Sequence, residues 1–490
     1  MSRTPVFAAL RRAAGIAALA RRCHAPPISE LAAIPRRALL GAAVLAPFAA
    51  RAQGALRGAR IVVVGGGLAG LVAAHRLVES GARDVTLYEA NRRLGGRMLS
   101  GRGVVGEGTL VELGGSFINS EHTDVLDLAR EFDLGLEDSF ADPGAARIHV
   151  GGATRSITEI ATEAAPFLAH LATLRQTPKP AQDARSAQAV MDGFGVSGWL
   201  RRLLDIGLTQ EMGREPGAMS ALYLIEYFTP DPARPRRGLF ASDQRYQIAG
   251  GNDRLPAAIA AKLGARLATG QRLEAVRSRG RGYALAFDGR EVVADIVVLA
   301  LPATILRQVA LEVPLPPLTR RAIRDLAYGT NAKMFAGFSA RPWRDAGLSG
   351  ETINDFGQQA CWEDHGAPGA GPGALTIFAG GAVGRGFGTG DVAQRVRQAV
   401  AGLEPALPGV GAAYAGRAHR MLWPQNPYVG GSYACFGPGQ YAGFEGAWAP
   451  AGRVVFAGEH TSEGSSGYMN GAAESGRVAA DRVLGWLRQG

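Results

Sequence analysis

Three glycines, Gly65, Gly67 and Gly70, stand in a G-x-G-x-x-G spacing directly after the run Ile61-Val62-Val63-Val64. An apolar, Ala-rich stretch follows from Leu68 to about Glu79, and then a second strand-like run, Val85-Thr86-Leu87-Tyr88-Glu89. Strand, glycine turn, helix and strand form a βαβ unit, which sets the two strands parallel in one sheet. Each glycine has its own task. Gly65 allows the tight turn, Gly67 lets the backbone approach a pyrophosphate, and Gly70 lets the helix pack closely on the sheet. The helix N-terminus offers unpaired N–H groups and its positive dipole end to phosphate. Glu89 comes nineteen residues after Gly70, where a carboxylate can accept both hydroxyls of a ribose and disfavours a 2′-phosphate. The expectation is a dinucleotide site that does not favour NADP.

The rest of the chain extends this unit into an α/β protein. At 490 residues it exceeds one ordinary core, so two or three domains are expected. Residues of about 120–245 read mostly as helices, including 124–132 and 156–173, the latter interrupted at Pro166. Short strand-like runs follow at 265–269, 274–277, 283–287, 291–293 and 296–301. Residues 303–430 mix helices and strands around a Gly/Pro-rich loop at 366–373, and the last 40 residues return to strand, glycine-rich turn and helix. We expect a Rossmann-like dinucleotide-binding domain built from discontinuous segments, 53–125, 246–302 and 431–490. An inserted α+β substrate domain would occupy 126–245 and 303–430.

A net charge of +10 suggests nucleic acid until it is located. Residues 1–52 hold eight arginines against one acid, Glu30, and so carry +7 of it. That distribution leaves no case for a nucleic-acid partner. Instead Arg36-Arg37 precedes an apolar run to Ala50, and Ala50-Arg51-Ala52 fits a small-residue cleavage site. The pattern resembles a twin-arginine export signal, so residues 1–52 are expected to be removed and the mature chain to be periplasmic or secreted. An attached N-terminal helix or an organelle transit peptide is the alternative. Past the leader there is no stretch long and apolar enough to predict a membrane anchor. Beyond Cys23, the cysteines Cys361 and Cys435 make neither a disulfide framework nor a metal site, so no metal is expected.

Just past the ribose acid, Arg93-Leu94-Gly95-Gly96-Arg97 adds basic groups and flexible backbone that suit a longer, bent dinucleotide. This run resembles the R-x-G-G-R continuation of the flavin-dependent amine oxidases. Glu112-Leu113-Gly114-Gly115-Ser116-Phe117 resembles that family's loop beside the flavin ring, and Phe456-Ala457-Gly458-Glu459-His460-Thr461 its C-terminal strand-to-loop motif. Gly467-Tyr468-Met469-Asn470-Gly471 and the residues to Gly476 are similar to its closing motif, where a helix N-terminus faces the flavin. The resemblance spans about 59–487. It implies FAD held by Gly65, Gly67, Gly70, Glu89, Arg93, Gly96, Arg97, Gly115, Ser116, Gly458, Glu459, Tyr468 and Met469. It also implies oxidation of a small-molecule amine to an imine, with oxygen or a periplasmic carrier as electron acceptor. A homodimer is left open.

For catalysis the resemblance singles out Lys333, in an otherwise apolar run, as the lysine that holds a water at flavin N5; a solvated surface lysine is the alternative. Tyr433 and Tyr468 match the two walls of an aromatic cage, and Trp423 is a further aromatic candidate. Phe117 and Glu121 are substrate candidates, with His122 beside them. Two departures carry weight. Where mitochondrial-type monoamine oxidases tether the flavin through cysteine, this chain has Ser432, so its FAD should be non-covalent. Many L-amino-acid oxidases place an arginine for the substrate carboxylate where Ser116-Phe117-Ile118 stands here, which favours primary amines or polyamines. The rivals are an L-amino-acid oxidase using another arginine, a desaturase or porphyrinogen-type oxidase, and, from another class, a non-catalytic flavoprotein-fold escort protein.

Overall fold

The strand Ile61–Val64 lies at the centre of a five-stranded parallel sheet, in the order Val454–Phe456, Ile296–Leu299, Ile61–Val64, Val85–Tyr88, Leu267–Ala268. The computed structural model describes residues 58–139, 141, 144–230, 242–365 and 371–489. The leader readings at Arg36-Arg37 and Ala50–Ala52 lie outside the described residues. Side chains alternate across the sheet as a pleat requires. Ile61 and Val63 pack with Leu71, Leu255 and Val483 under the helices Leu68–Glu79, Arg254–Leu263 and Met469–Gln489. Val62 and Val64 join Leu285 and Phe287 on the opposite face. Both faces are covered, which is why the strand reads as a continuous apolar run instead of an alternating one. Each such side chain stabilises the fold by about 1.5–3 kcal/mol on burial.

The covering layer on that opposite face is a four-stranded sheet, Arg290–Ala294, Gly282–Phe287, Leu273–Arg279 and Ala310–Glu312. Because Ala310–Glu312 pairs in parallel with Leu273–Arg279, this side of the molecule runs past residue 302. It also runs past 125, since Val125 and Leu128 of the helix Thr123–Glu131 belong to the core beneath the parallel sheet.

The other half of the molecule centres on a seven-stranded sheet, in the order Tyr414–Met421, Ala332–Phe338, Gly373–Ala379, Ala360–Trp362, Leu348–Asn354, Ala145–Val150, Ala153–Thr154. Ala145–Val150 and Ala153–Thr154 fall inside the stretch expected to be mostly helical. Only Arg147-Ile148-His149-Val150 alternates polar and apolar residues, too short a run to announce a strand by itself. The expected break at Pro166 is absent: Ile157–Leu174 is one helix with the proline inside it, opened by a capping box between Ser156 and Glu159. Proline removes one interior hydrogen bond, and the buried contacts of Ile160, Ala164, Phe167 and Leu171 on both sides of it hold the helix together. In Ala332–Phe338 every residue is buried. Met334, Ala336 and Phe338 face the core beneath the helix Val392–Leu403, while Phe335 faces Val105, Val111 and Leu113. By the same alternation Lys333 points to the Phe335 side, toward the parallel-sheet half. Among the described residues no helix is long and apolar enough to cross a membrane.

Candidate active site

A cleft of about 890 Å³ runs along the C-terminal ends of the parallel strands, from Glu89 and Asn91 past the glycine turn to Glu459 and Tyr468. This is the place the βαβ geometry sets for a dinucleotide. Gly65 has φ +107°, and a Cβ there would lie 2.5 Å from the Ala300 carbonyl. At Gly70 a Cβ would strike the Gly65 carbonyl at 1.9 Å, so the third glycine packs helix against turn and does not line the cleft. Gly67 and Gly96 lie side by side in its wall, with Gly96 Cα 4.0 Å from where a Gly67 Cβ would stand.

Glu89 follows the strand Val85–Tyr88 directly. Its Oε2 accepts the Gly66 N–H at 2.6 Å and its Oε1 the Asn91 N–H at 2.7 Å. Burial pushes this carboxyl up and the two N–H bonds pull against it. Each oxygen keeps a second lone pair for a ligand hydroxyl. Burial lowers Arg93, with Glu89 and Asp253 opposing; it donates to the Leu94 and Gly96 carbonyls. Arg97 Nη1 donates to the Ser432 carbonyl at 2.7 Å and to Glu459 Oε1 at 2.9 Å. Glu459, 1 % exposed, also accepts the Ala434 and Gly467 N–H groups. It therefore ties the cleft floor to the loop that leads into the helix Met469–Gln489. Gly458, Tyr468 and Met469 complete the lining.

Arg97 is shared with a second cleft of about 290 Å³, lined also by Gly114, Asn331, Lys333, Phe378, Trp423, Ser432 and Tyr433. Lys333 is 3 % exposed, which excludes a solvated surface lysine. Its Nζ donates to the Glu112 carbonyl (2.7 Å), the Gly114 carbonyl (2.8 Å) and Ser116 Oγ (2.8 Å). Burial brings its pKa down to about 8 against the opposing pull of Asp364 and Glu112. Trp423 donates its indole N–H to the Leu113 carbonyl at 2.9 Å, and the Tyr433 hydroxyl donates to the Glu211 carbonyl. Ser432 Oγ donates to Asn331 Oδ1 at 2.6 Å.

The structure thus brings Lys333, Tyr433 and Trp423 to one cleft and Tyr468 to the adjoining one. Gly115 and Ser116 border neither cleft directly; Asn252 Nδ2 holds both of their carbonyls. Phe117 packs its ring 5.8 Å from Trp362 inside the core, and Glu121 lines neither cleft. His122 is buried, edge-on to Tyr468 at 4.8 Å. Sequence reasoning passed over Asn331, Asp364 and His365. None sits in a recognisable spacing, and only their place beside Ser432 and Glu112 makes them visible.

A match to the flavin containing amine oxidoreductase family covers residues 68–484. The chain is 28% identical over 449 residues to a protein of Mycobacterium tuberculosis that carries the name flavin-containing monoamine oxidase, across 87% of this chain and 97% of that one. It is 24% identical over 458 residues to an L-amino-acid oxidase of Vipera ammodytes ammodytes, covering 86% and 92%. Among solved structures, cyclohexylamine oxidase from Brevibacterium oxydans superimposes with a TM-score of 0.78 at 23% identity, over 88% of this chain and 99% of that one.

Proposed function

The chain belongs to the flavin-containing amine oxidoreductases, and from that premise we propose that it oxidises a primary amine or polyamine to the imine and reduces oxygen to hydrogen peroxide. It is an oxidoreductase with FAD as cofactor. The observation that carries the choice of substrate is the pairing of Arg97. Among the described residues lining the smaller cleft it is the only guanidinium, and it is bonded to Glu459 and the Ser432 carbonyl. Its charge is already balanced by Glu459, so a substrate carboxylate would meet an ion pair and not a free guanidinium. A buried, unpaired charge costs several kcal/mol.

Bound FAD supplies the hydride acceptor and delivers the electrons to oxygen. The chain supplies placement. Gly65, Gly67 and Gly96 give backbone access in the large cleft, Glu89 offers acceptors at one end, and Arg97 with Glu459 fixes the other. In the smaller cleft Tyr433, Trp423 and Phe378 exclude water, which favours the neutral amine over the hydrated ammonium. Lys333, whose three N–H donors go to the Glu112 and Gly114 carbonyls and to Ser116 Oγ, would supply a positive charge where reduction of oxygen builds negative charge, and would have to give up one of those bonds to hold a water. The imine then hydrolyses to an aldehyde and ammonia or a smaller amine.

The FAD is proposed to be non-covalent, because the buried Ser432 hydroxyl, bonded to Asn331, cannot form a thioether. Acid precipitation should leave FAD in the supernatant and a colourless pellet; flavin retained on the washed pellet would show a covalent link. Export through the twin-arginine route rests on Arg36-Arg37. Replacing both with lysine should keep the full-length holoprotein inside the cell, and mature protein in the periplasm would exclude that route. The enzyme reading itself predicts peroxide released in step with an added amine, and no peroxide from any of a panel of amines and amino acids would leave the escort reading.

A further inference from the structure

Residues 364 and 365, between the strands Ala360–Trp362 and Gly373–Ala379, grip Glu112 from two sides. Asp364 Oδ2 accepts the Glu112 backbone N–H at 3.0 Å, and His365 Nε2 meets Glu112 Oε1 at 2.7 Å. The other ring nitrogen, Nδ1, meets Glu137 Oε2 at 2.8 Å, and the His365 backbone N–H donates to Gln247 Oε1 at 3.2 Å. His365 has φ +48°, a left-handed conformation that a non-glycine residue keeps only where its surroundings impose it. Here the ring is 3 % exposed between its two carboxylates, and Glu112 is fully buried. Glu112 is also the residue whose carbonyl, with Gly114 and Ser116, carries the Lys333 amine.

We propose that His365 is a positioning residue for Lys333: by clamping the Glu112 carboxylate it fixes the 112–116 segment on which the amine rests and keeps the carboxylate's charge beside it. The inference rests on the reading that Lys333 stands at the flavin ring. Burial by itself would lower an imidazole, but the bonds to Glu112 and Glu137 raise His365 to about 10, so it is an imidazolium at neutral pH. Burial pushes the Glu112 carboxyl up, and the imidazolium opposes that. The charges acting on Lys333 are Asp364 and Glu112, with Arg97 on the same cleft wall. His365 therefore acts through Glu112. Without the imidazolium, a fully buried Glu112 takes up a proton, and Lys333 loses an anion that held its own proton. The Lys333 pKa then falls.

The test reads the absorbance of the bound oxidised flavin from pH 6 to 10 in the holoenzyme, alongside thermal melting. Wild type should show a spectral step near the Lys333 pKa of about 8, and Lys333→Met should lack it. In His365→Leu the step should move down by about one unit or more. His365→Gln, which still donates to Glu112, should recover part of that shift. Glu137→Gln, at a half-exposed carboxylate, should move the step the same way by less, and it serves as the arm that folds if His365→Leu does not. A step that stays in place in His365→Gln and Glu137→Gln, with FAD bound, overturns the proposal. A step that survives in Lys333→Met instead overturns the reading of Lys333 beneath it.

Discussion

Lys333 shows how one residue can be assigned by burial and partners together. A lysine stem on a strand buried along its whole length carries an amine bonded to three oxygens, and its pKa of about 8 leaves it partly charged in the working range. Lys333→Met should retain FAD yet slow reduction, reoxidation, or both by at least about tenfold, equivalent to roughly 1.4 kcal/mol of transition-state stabilisation. The sign with pH follows from the ionisation. If the ammonium assists oxygen, the wild-type oxygen half-reaction declines as pH rises through about 8, while the variant's stays flat. Stopped-flow traces of each half-reaction check both statements, and unchanged rates would remove Lys333 from the chemistry. Lys333 was legible in the sequence because it stands where the family resemblance puts a lysine, and an amine in an otherwise apolar run is costly enough to support that reading. His365 was not. It has no neighbours in sequence that share its task, and its partners Glu112 and Glu137 are 253 and 228 positions away.

At the scale of elements, the glycine turn and the closing helix were readable because their constraints are local. The strand that carries Lys333 depends on a contact no local pattern announces. A Cβ on Gly337 would lie 1.8 Å from the Val105 carbonyl, so the strand and the turn around Val105 meet backbone to backbone. Gly337→Ala must push them apart. Overpacking of this kind costs about 1–3 kcal/mol, and the strand's displacement should also weaken the Lys333 contacts to residues 112–116. Thermal melting and the flavin spectrum of this variant should both change. A spectrum and melting point equal to wild type would mean that the two elements separate freely. The same distinction explains the strands at 145–154 and the helix through Pro166. The first of those strands is set by pairing with Leu348–Asn354 and the second by pairing with the first, the helix by packing on both sides of the proline. Neither is encoded in a local window.

At the scale of the whole molecule, the chain closes one parallel sheet from three separate stretches, 61–88, 267–299 and 454–456, and builds a seven-stranded sheet from others. Lys333 and Glu112, 221 residues apart, meet only because of that closure. The sequence showed the separate segments through their glycine and acid motifs, but the boundaries between the halves depend on pairings such as Ala310–Glu312 with Leu273–Arg279. The central proposal joins this architecture to substrate choice: that the smaller cleft takes a neutral amine, the one guanidinium among the described residues lining it being already paired with Glu459. The most direct measurement is anaerobic flavin reduction by one amine and by its own α-carboxylated parent, at one pH. The pair shares a side chain, so fit cancels and the carboxylate alone is tested. The account predicts that the second-order reduction rate for the amine exceeds that for the amino acid by at least about a hundredfold. Equal or faster reduction by the amino acid would contradict it and assign the carboxylate to an arginine elsewhere in the chain.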